Sequence, residues 1–464
     1  MKKLLVATAF LCFVLSPLSM AQKRSSSTSN RAKAPASNPH QLLSVKATGT
    51  TRYTDKEILA ASGLRLGQDV AEGELKEASQ RLGESGVFSS VAYSFSYSDA
   101  GVKAEFQLTD NEKNKPVPAH FENFVWFTDA DLLTALKQRV PLFKEAVPTS
   151  GRMAERVNEA LQALLTERHL PGRVEFLRQG NKDGGELTGI EYRVSEITTS
   201  MRNVEFPGAS PDQTAFLERG THTLLDAEYF RSKLAAVAQF DLLPLYLKRG
   251  YLRATFGPSE ARVVTRDGEK TGDAKVDAKT EDAKNEDYSP KDIEVDVILP
   301  VTPGKVYSVS GITWKGNSAI AIDEASHIFH LAVDRPADAV RATTDAESMV
   351  SLYHSRGYMR AEVKPAAQLE DDKGTVHYDI NITEGDLYKM GELEIIGVDT
   401  PSKDRLSEAW TLREGQPYNA EYTRKFLDDA PHLLPRGLQF SATINEQLDN
   451  KDKLVDVTIH FKVQ

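Results

Sequence analysis

The sequence predicts an α+β chain built as a tandem array of five small β-α-α-β-β modules. Three observations carry this. The first is a phrase written twice: Leu245-Tyr246-Leu247-Lys248-Arg249-Gly250-Tyr251-Leu252-Arg253-Ala254 recurs as Leu352-Tyr353-His354-Ser355-Arg356-Gly357-Tyr358-Met359-Arg360-Ala361. Each copy reads as the end of an amphipathic helix, a glycine stop, then an aromatic that opens a strand, and repeats of this kind spread function along a row of units. The second is the recurrence of that stop at Gly86, Gly172, Gly250, Gly357 and Gly437. The third is the last strand, where Val455, Val457, Ile459, Phe461 and Val463 alternate with Asp456, Thr458, His460 and Lys462. Such period-two alternation marks a sheet buried on one face.

Taken in order, residues 1–21 read as a secretory signal: Lys2 and Lys3, an apolar core from Leu4 to Leu15, then Ser19-Met20-Ala21 as a cleavage site. The apolar run falls short of the ~20 residues a membrane span needs. The sole cysteine, Cys12, lies in this leader behind Leu11, which is too bulky for a lipoprotein signal. The mature chain is therefore expected to have no disulfide, no thiol chemistry and no thiolate metal site. Residues 22–40 are rich in Ser, Ala, Asn and Pro, with Lys23, Arg24, Arg31 and Lys33 and no acid, and read as a disordered linker. The modules follow as 41–113, 114–199, 200–303, 304–385 and 386–464. The third is lengthened by Arg266–Pro290, a run of Asp-Ala-Lys repeats expected to form a disordered loop within its hairpin.

The fifth module shows the pattern most plainly. Leu393, Ile395 and Ile396 give its first strand, and Pro401–Trp410 its first helix. Leu412-Arg413-Glu414-Gly415-Gln416-Pro417 turns the chain into a second helix that begins near Asn419. In the first module the same turn is Leu64-Arg65-Leu66-Gly67-Gln68, followed by a helix with Leu75, Ala78 and Leu82 on one side. The joints repeat too: Val301-Thr302-Pro303-Gly304-Lys305-Val306-Tyr307 and Ile382-Thr383-Glu384-Gly385-Asp386-Leu387-Tyr388 each close one module and open the next, and read as semi-rigid hinges.

Charge and motifs exclude several functions. The chain has 57 Lys and Arg; less the two in the leader, 55 remain against 67 Asp and Glu, a net of −12. That argues against nucleic acid as a partner, which needs a basic stripe to meet phosphates. No nucleophile elbow, phosphate loop or dinucleotide fingerprint follows any strand. The best metal candidate is Glu324 with His327 and His330 on the first helix of the fourth module. Ile328, Phe329 and Leu331 interleave with them, so they read as the polar edge of a packed helix, and neither metal nor cofactor is expected.

The combination of strand, two helices, hairpin, glycine-aromatic corner and glycine joint resembles the POTRA (polypeptide-transport-associated) domain. Five in tandem behind a signal resemble the periplasmic arm of the BamA barrel-assembly family, and the resemblance covers residues 41–464. The second module departs most, with His169-Leu170-Pro171-Gly172 in place of a Gly-Tyr corner. The family ends in a transmembrane barrel, whose smallest form takes about eight strands. The fifth module consumes the sequence to Gln464, so the arm's binding role carries over and the insertase activity does not.

The resemblance implies that each module is a three-stranded mixed sheet with two helices on one face, and that the first hairpin strand lies at a sheet edge. An edge with free N–H and C=O groups templates another strand. The edges so predicted are Val91–Phe95 (with Val91, Tyr93 and Phe95), Arg253–Phe256 (Arg253, Ala254 and Phe256), Arg360–Lys364 (Arg360, Ala361, Glu362 and Lys364) and Gln439–Ile444. The expected function is a non-enzymatic, soluble periplasmic scaffold or chaperone-like accessory in outer-membrane protein assembly. Its partners would be unfolded or nascent outer-membrane proteins, or a barrel-assembly partner protein, with at most peripheral contact with the outer membrane. The alternative is a structural adaptor of the cell envelope or division machinery, in the manner of FtsQ-type proteins.

Overall fold

The computed structural model describes residues 38–181, 185–264, 292–435 and 440–463. The predicted leader, the linker up to residue 37, the Arg266–Pro290 insert, Gly437 and Gln439 lie outside the described residues. The described chain divides into two compact bodies. One holds the residues up to Gly83 with Ser90–Asp110; the other holds Glu84–Ser89 with the chain from Asn111 onward.

The first sheet is built from β1 (Leu42–Thr48), β2 (Phe88–Ser98) and β3 (Gly101–Asp110), with helices α1 (Asp55–Ser62) and α2 (Glu72–Gly83) between β1 and β2. Its order is β1-β3-β2, so the last strand takes the centre. β1 runs parallel to β3, which requires the long helical crossover between them. Helix starts are written in the sequence. Thr54 and Glu57 form a reciprocal capping box ahead of α1, satisfying two of the amide groups a helix start leaves free.

The same order recurs along the second body. Its first sheet uses β4 (Pro116–Phe121), β5 (Ala146–Pro148), β6 (Arg173–Gly180) and β7 (Leu187–Ser195), with α3 (Asp129–Arg139) and α4 (Met153–Glu167). Here β5 adds a fourth strand, giving β5-β4-β7-β6. The next unit has β8 (Thr198–Glu205), α5 (Pro211–Thr221), α6 (Arg231–Val237), α7 (Leu243–Leu247), β9 (Thr255–Phe256), β10 (Glu260–Val263), β11 (Asp292–Ile298) and β12 (Val301–Thr302). A π-helical segment, Ala238–Leu242, joins α6 to α7 just before Pro244, whose missing N–H cannot continue a regular ladder. The edge strand of this unit is split: β9 pairs with β12 and β10 with β11. Gly257-Pro258-Ser259 interrupts it, because proline removes the donor that pairing needs.

The fourth unit comprises β13 (Ser308–Lys315), α8 (Ile322–Ile328), α9 (Ala339–Ser355), β14 (Glu362–Glu370) and β15 (Thr375–Thr383); the fifth comprises β16 (Lys389–Ile396), α10 (Thr400–Ala409), α11 (Ala420–Leu433), β17 (Phe440–Asp449) and β18 (Leu454–Val463). Their orders, β13-β15-β14 and β16-β18-β17, match the first sheet. In β18 the apolar positions Val455, Val457, Ile459 and Phe461 are buried while His460 and Lys462 are exposed. One face of the sheet is therefore covered, as the alternation predicts.

In four of the units a small turn between the helices is tied back to the first strand. In the fifth unit Gly415 N–H donates to the Met390 carbonyl at 2.8 Å, and Met390 N–H to Gln416 at 2.8 Å. The first unit repeats this through Gly67 and Leu42. The third and fourth do so with Asp226 and Asp334, which take the left-handed backbone at φ 64° and 63°. Aspartate tolerates that region better than most residues, so the turn persists where no glycine announces it.

Candidate docking edges and the joints between modules

The predicted edges fall on β2, β9, β14 and β17, each the outer strand of its sheet, with corrections. Val91, Tyr93 and Phe95 lie in β2, at the edge of the first sheet. They are half-buried, while Ala92, Ser94 and Ser96 between them are exposed. Tyr93 and Phe95 stack at 6.5 Å, and Tyr97 meets Phe95 edge-on at 5.3 Å. Glu362 and Lys364 lie in β14, paired with Thr383 and Asn381 of β15. Phe256 lies in β9, a strand of only two residues.

Four predicted edge residues are not in strands. Arg253 and Ala254 precede β9, and Arg360 and Ala361 precede β14. After the glycine the chain closes one further turn before it can extend. Ala254 N–H donates to the Tyr251 carbonyl, and Ala361 N–H to that of Tyr358, each at 3.1 Å. Both alanines are buried.

The two arginines do something the sequence did not reveal. Arg253 donates from Nε and Nη2 to the two carboxylate oxygens of Asp371 at 2.9 and 2.7 Å, and from Nε to the Tyr307 hydroxyl at 3.2 Å. The Tyr307 hydroxyl also donates to Asp371. One unit further on, Arg360 Nε donates to Tyr388 at 3.2 Å and to Asn450 Oδ1 at 3.0 Å, with Tyr388 donating to Asn450 at 2.8 Å. Asp371 and Asn450 occupy the hairpin turns β14–β15 and β17–β18. Hydrogen bonds from Tyr307 and then Arg253 hold the Asp371 carboxyl below its ordinary range.

Several positions of the repeated phrase serve this joint. The Gly250 carbonyl accepts the Tyr307 N–H at 2.9 Å, and that of Gly357 accepts the Tyr388 N–H at 2.8 Å. Leu252 packs against the fourth core and Met359 against the fifth. Tyr251 and Tyr358 turn back onto Tyr246 and Tyr353, edge to face at 5.5 and 5.9 Å. The joint glycines complete it, since a Cβ on Gly304 or Gly385 would lie 3.6 or 3.3 Å from the Cβ of Arg253 or Arg360. What reads as two separate repeats is one bonded joint.

The two copies differ in one buried group. The Tyr353 hydroxyl donates to Glu384 at 3.0 Å. Tyr246 is fully buried and its hydroxyl has no partner, because Pro303 stands where Glu384 stands one unit later. Burial pushes the Tyr246 hydroxyl up to about 12.

The joint between the second and third units is built differently. Glu122 accepts the Ser232 N–H at 2.9 Å, and Arg231 pairs with Asp129. The phrase at 169–172 has no Gly-Tyr corner, and among the described residues no arginine reaches a hairpin turn here as Arg253 and Arg360 do.

The histidine candidate is occupied elsewhere. Glu324 pairs with Arg356. His330 Nδ1 lies 3.1 Å from the buried Asp345, which also accepts the His330 N–H at 2.6 Å and Arg341 Nε at 3.0 Å. Among the described residues no group of three His, Cys, Asp or Glu side chains is placed to hold a metal, and no helix is long and apolar enough to cross a membrane.

Residues 307–385 match the family model described as POTRA, surface antigen variable number repeat. The fourth unit is a POTRA domain. Solved structures similar to the chain include Haemophilus influenzae BamA POTRA3-5, at 16% identity and TM-score 0.41 over 57% of this chain and 96% of that one. The N-terminal domain of Omp85 from Thermosynechococcus elongatus is similar at 14% identity and TM-score 0.22, over 57% and 97%. CdiB from Escherichia coli is similar at 15% identity and TM-score 0.21, over 54% of this chain and 35% of that one. The strand order of the POTRA unit, with its last strand central, recurs in the first and fifth sheets; the second adds β5 to it, and the third splits its edge.

Proposed function

We propose that this protein is a periplasmic polypeptide-binding scaffold in outer-membrane protein assembly, and that it takes extended client or partner segments onto the edges of its POTRA sheets. POTRA domains are scaffold domains of outer-membrane polypeptide handling, which supports the broad part. One observation carries the finer part: in the first, fourth and fifth sheets the central place goes to the last strand, which leaves the first hairpin strand at the edge with one ladder side open. Backbone pairing there gives affinity without demanding one client sequence. The leader at residues 1–21 supports the compartment.

The edges are unequal. β2 and β17 run 11 and 10 residues without proline. β14 carries Pro365 opposite Ile380. A proline inside a sheet keeps its nitrogen on the open side, so it deletes a donor midway along that edge. Val91, Tyr93 and Phe95 in β2, and β17 with the first residues of β14, where the parity set by Pro365 turns the amide of Val363 outward and those of Glu362 and Lys364 toward β15, are the strongest candidates for client contact.

A photo-crosslinking residue at Asn445 of β17, in protein incubated with envelope extract, tests this reading. The expected products are unfolded outer-membrane barrel proteins or their assembly factors. Capture of division or cell-wall proteins instead would replace it with the adaptor role.

A further inference from the structure

The clamp at Arg360 brings two edge strands together end to end. β17 finishes at Asp449, and the next residue, Asn450, is the one that accepts from Arg360 at 3.0 Å. Two residues after Arg360 the chain enters β14. The edge strand of the fifth module thus ends beside the start of that of the fourth, so a strand added along one and then the other would meet the same N-to-C polarity. Matched direction matters, since parallel and antiparallel pairing use different hydrogen-bond patterns. One added strand can keep a single pattern across both.

We infer that Arg360 splices β17 to the start of β14, so that Phe440–Asp449 followed by Arg360–Lys364 forms one continuous docking edge for a single extended polypeptide. This rests on the edge-docking function proposed above and gives it a length and an end. The far limit is Pro365, where the open row loses a donor. The equivalent clamp at Arg253 brings the end of β14 to the start of β9, but Pro365 lies before that junction and Pro258 just beyond it. The track therefore spans the fourth and fifth modules only. Its occupant is an extended segment of alternating polar and apolar residues. β17 itself alternates half-buried Ile444, Glu446 and Leu448 with exposed Thr443, Asn445 and Gln447, and same-face cross-strand pairs favour a partner of matching pattern.

The test compares two labelled peptides of alternating valine and threonine, of about eight and about sixteen residues, the longer able to reach across both edges at roughly 3.3 Å per residue. Binding to the full chain is expected to be at least about tenfold tighter for the longer peptide, as for two linked sites. Asn450→Ala, in the turn outside the edge, should remove that advantage and leave the short peptide's affinity unchanged; Arg360→Ala should remove the advantage as well. Equal affinities in the parent, or a length advantage that survives both substitutions, would overturn the continuous edge. Spin labels at Thr443 and Gln368 separate this failure from that of docking itself. Alongside equal peptide affinities, a distance distribution that is narrow in the parent and broad in both variants, with no peptide bound, would keep the splice and sink the docking function. A distribution unchanged by either substitution would overturn the splice.

Discussion

Gly357→Ala is expected to lower stability by at least about 2 kcal/mol and to uncouple the fifth module from the fourth. Gly357 has φ 90°, a backbone that costs an L-residue about 1–2 kcal/mol. A Cβ there would also meet the Tyr388 carbonyl oxygen at 2.6 Å and the Tyr418 nitrogen at 3.2 Å, neither of which can swing aside. The same carbonyl group of Gly357 holds the Tyr388 N–H, so any backbone shift that relieves the clash breaks the joint. Gly250→Ala should behave alike, with its Cβ 2.8 Å from the Tyr307 carbonyl oxygen. Gly415→Ala is the control: φ is 78°, but no atom lies within 4 Å of its Cβ, so only the backbone cost of about 1–2 kcal/mol remains. Scanning calorimetry should show the shared transition of the fourth and fifth modules splitting or broadening in Gly357→Ala. A melting profile indistinguishable from that of Gly415→Ala would show that the corner is not part of the joint.

Asn123→Ala is expected to cost about 2–6 kcal/mol, since it orphans two buried backbone groups at roughly 1–3 kcal/mol each. Asn123 is fully buried. Its side chain donates to the Val194 carbonyl at 2.9 Å and accepts the Val194 N–H at 2.8 Å. It extends the β4–β7 ladder two residues past the end of β4, doing with an amide side chain what backbone does elsewhere. Urea titration of the full chain should show the second module's transition moved to lower denaturant. A shift below about 0.5 kcal/mol, the range of ordinary surface changes, would count against this role.

The array was legible because its signals are local. Glycine stops and the alternation in β18 each sit within one element, and they fix element type without knowledge of tertiary contacts. The joints were not legible, although both halves of each were noticed. Arg253 meets Asp371 across 118 residues and Arg360 meets Asn450 across 90, and nothing in either turn marks it as a partner. For the same reason the arginines read as edge residues, when the turn closed by Ala254 and Ala361 delays the strand. Asp226 and Asp334 hid two copies of the turn that Gly67 and Gly415 announce. Pro365 was readable: a proline inside a strand marks an edge and blunts it.

Backbone docking leaves a signature that side-chain binding does not, because alternate amides of an edge strand face outward. Amide hydrogen exchange of the full chain, with and without an excess of an extended barrel-strand peptide, reads it directly. The account predicts slowed exchange at every second amide of β17, continuing to Val363 and absent beyond Pro365. Binding with no protection in β2, β14 or β17, or with uniform protection of neighbouring amides, would contradict strand addition as the way this protein holds its clients.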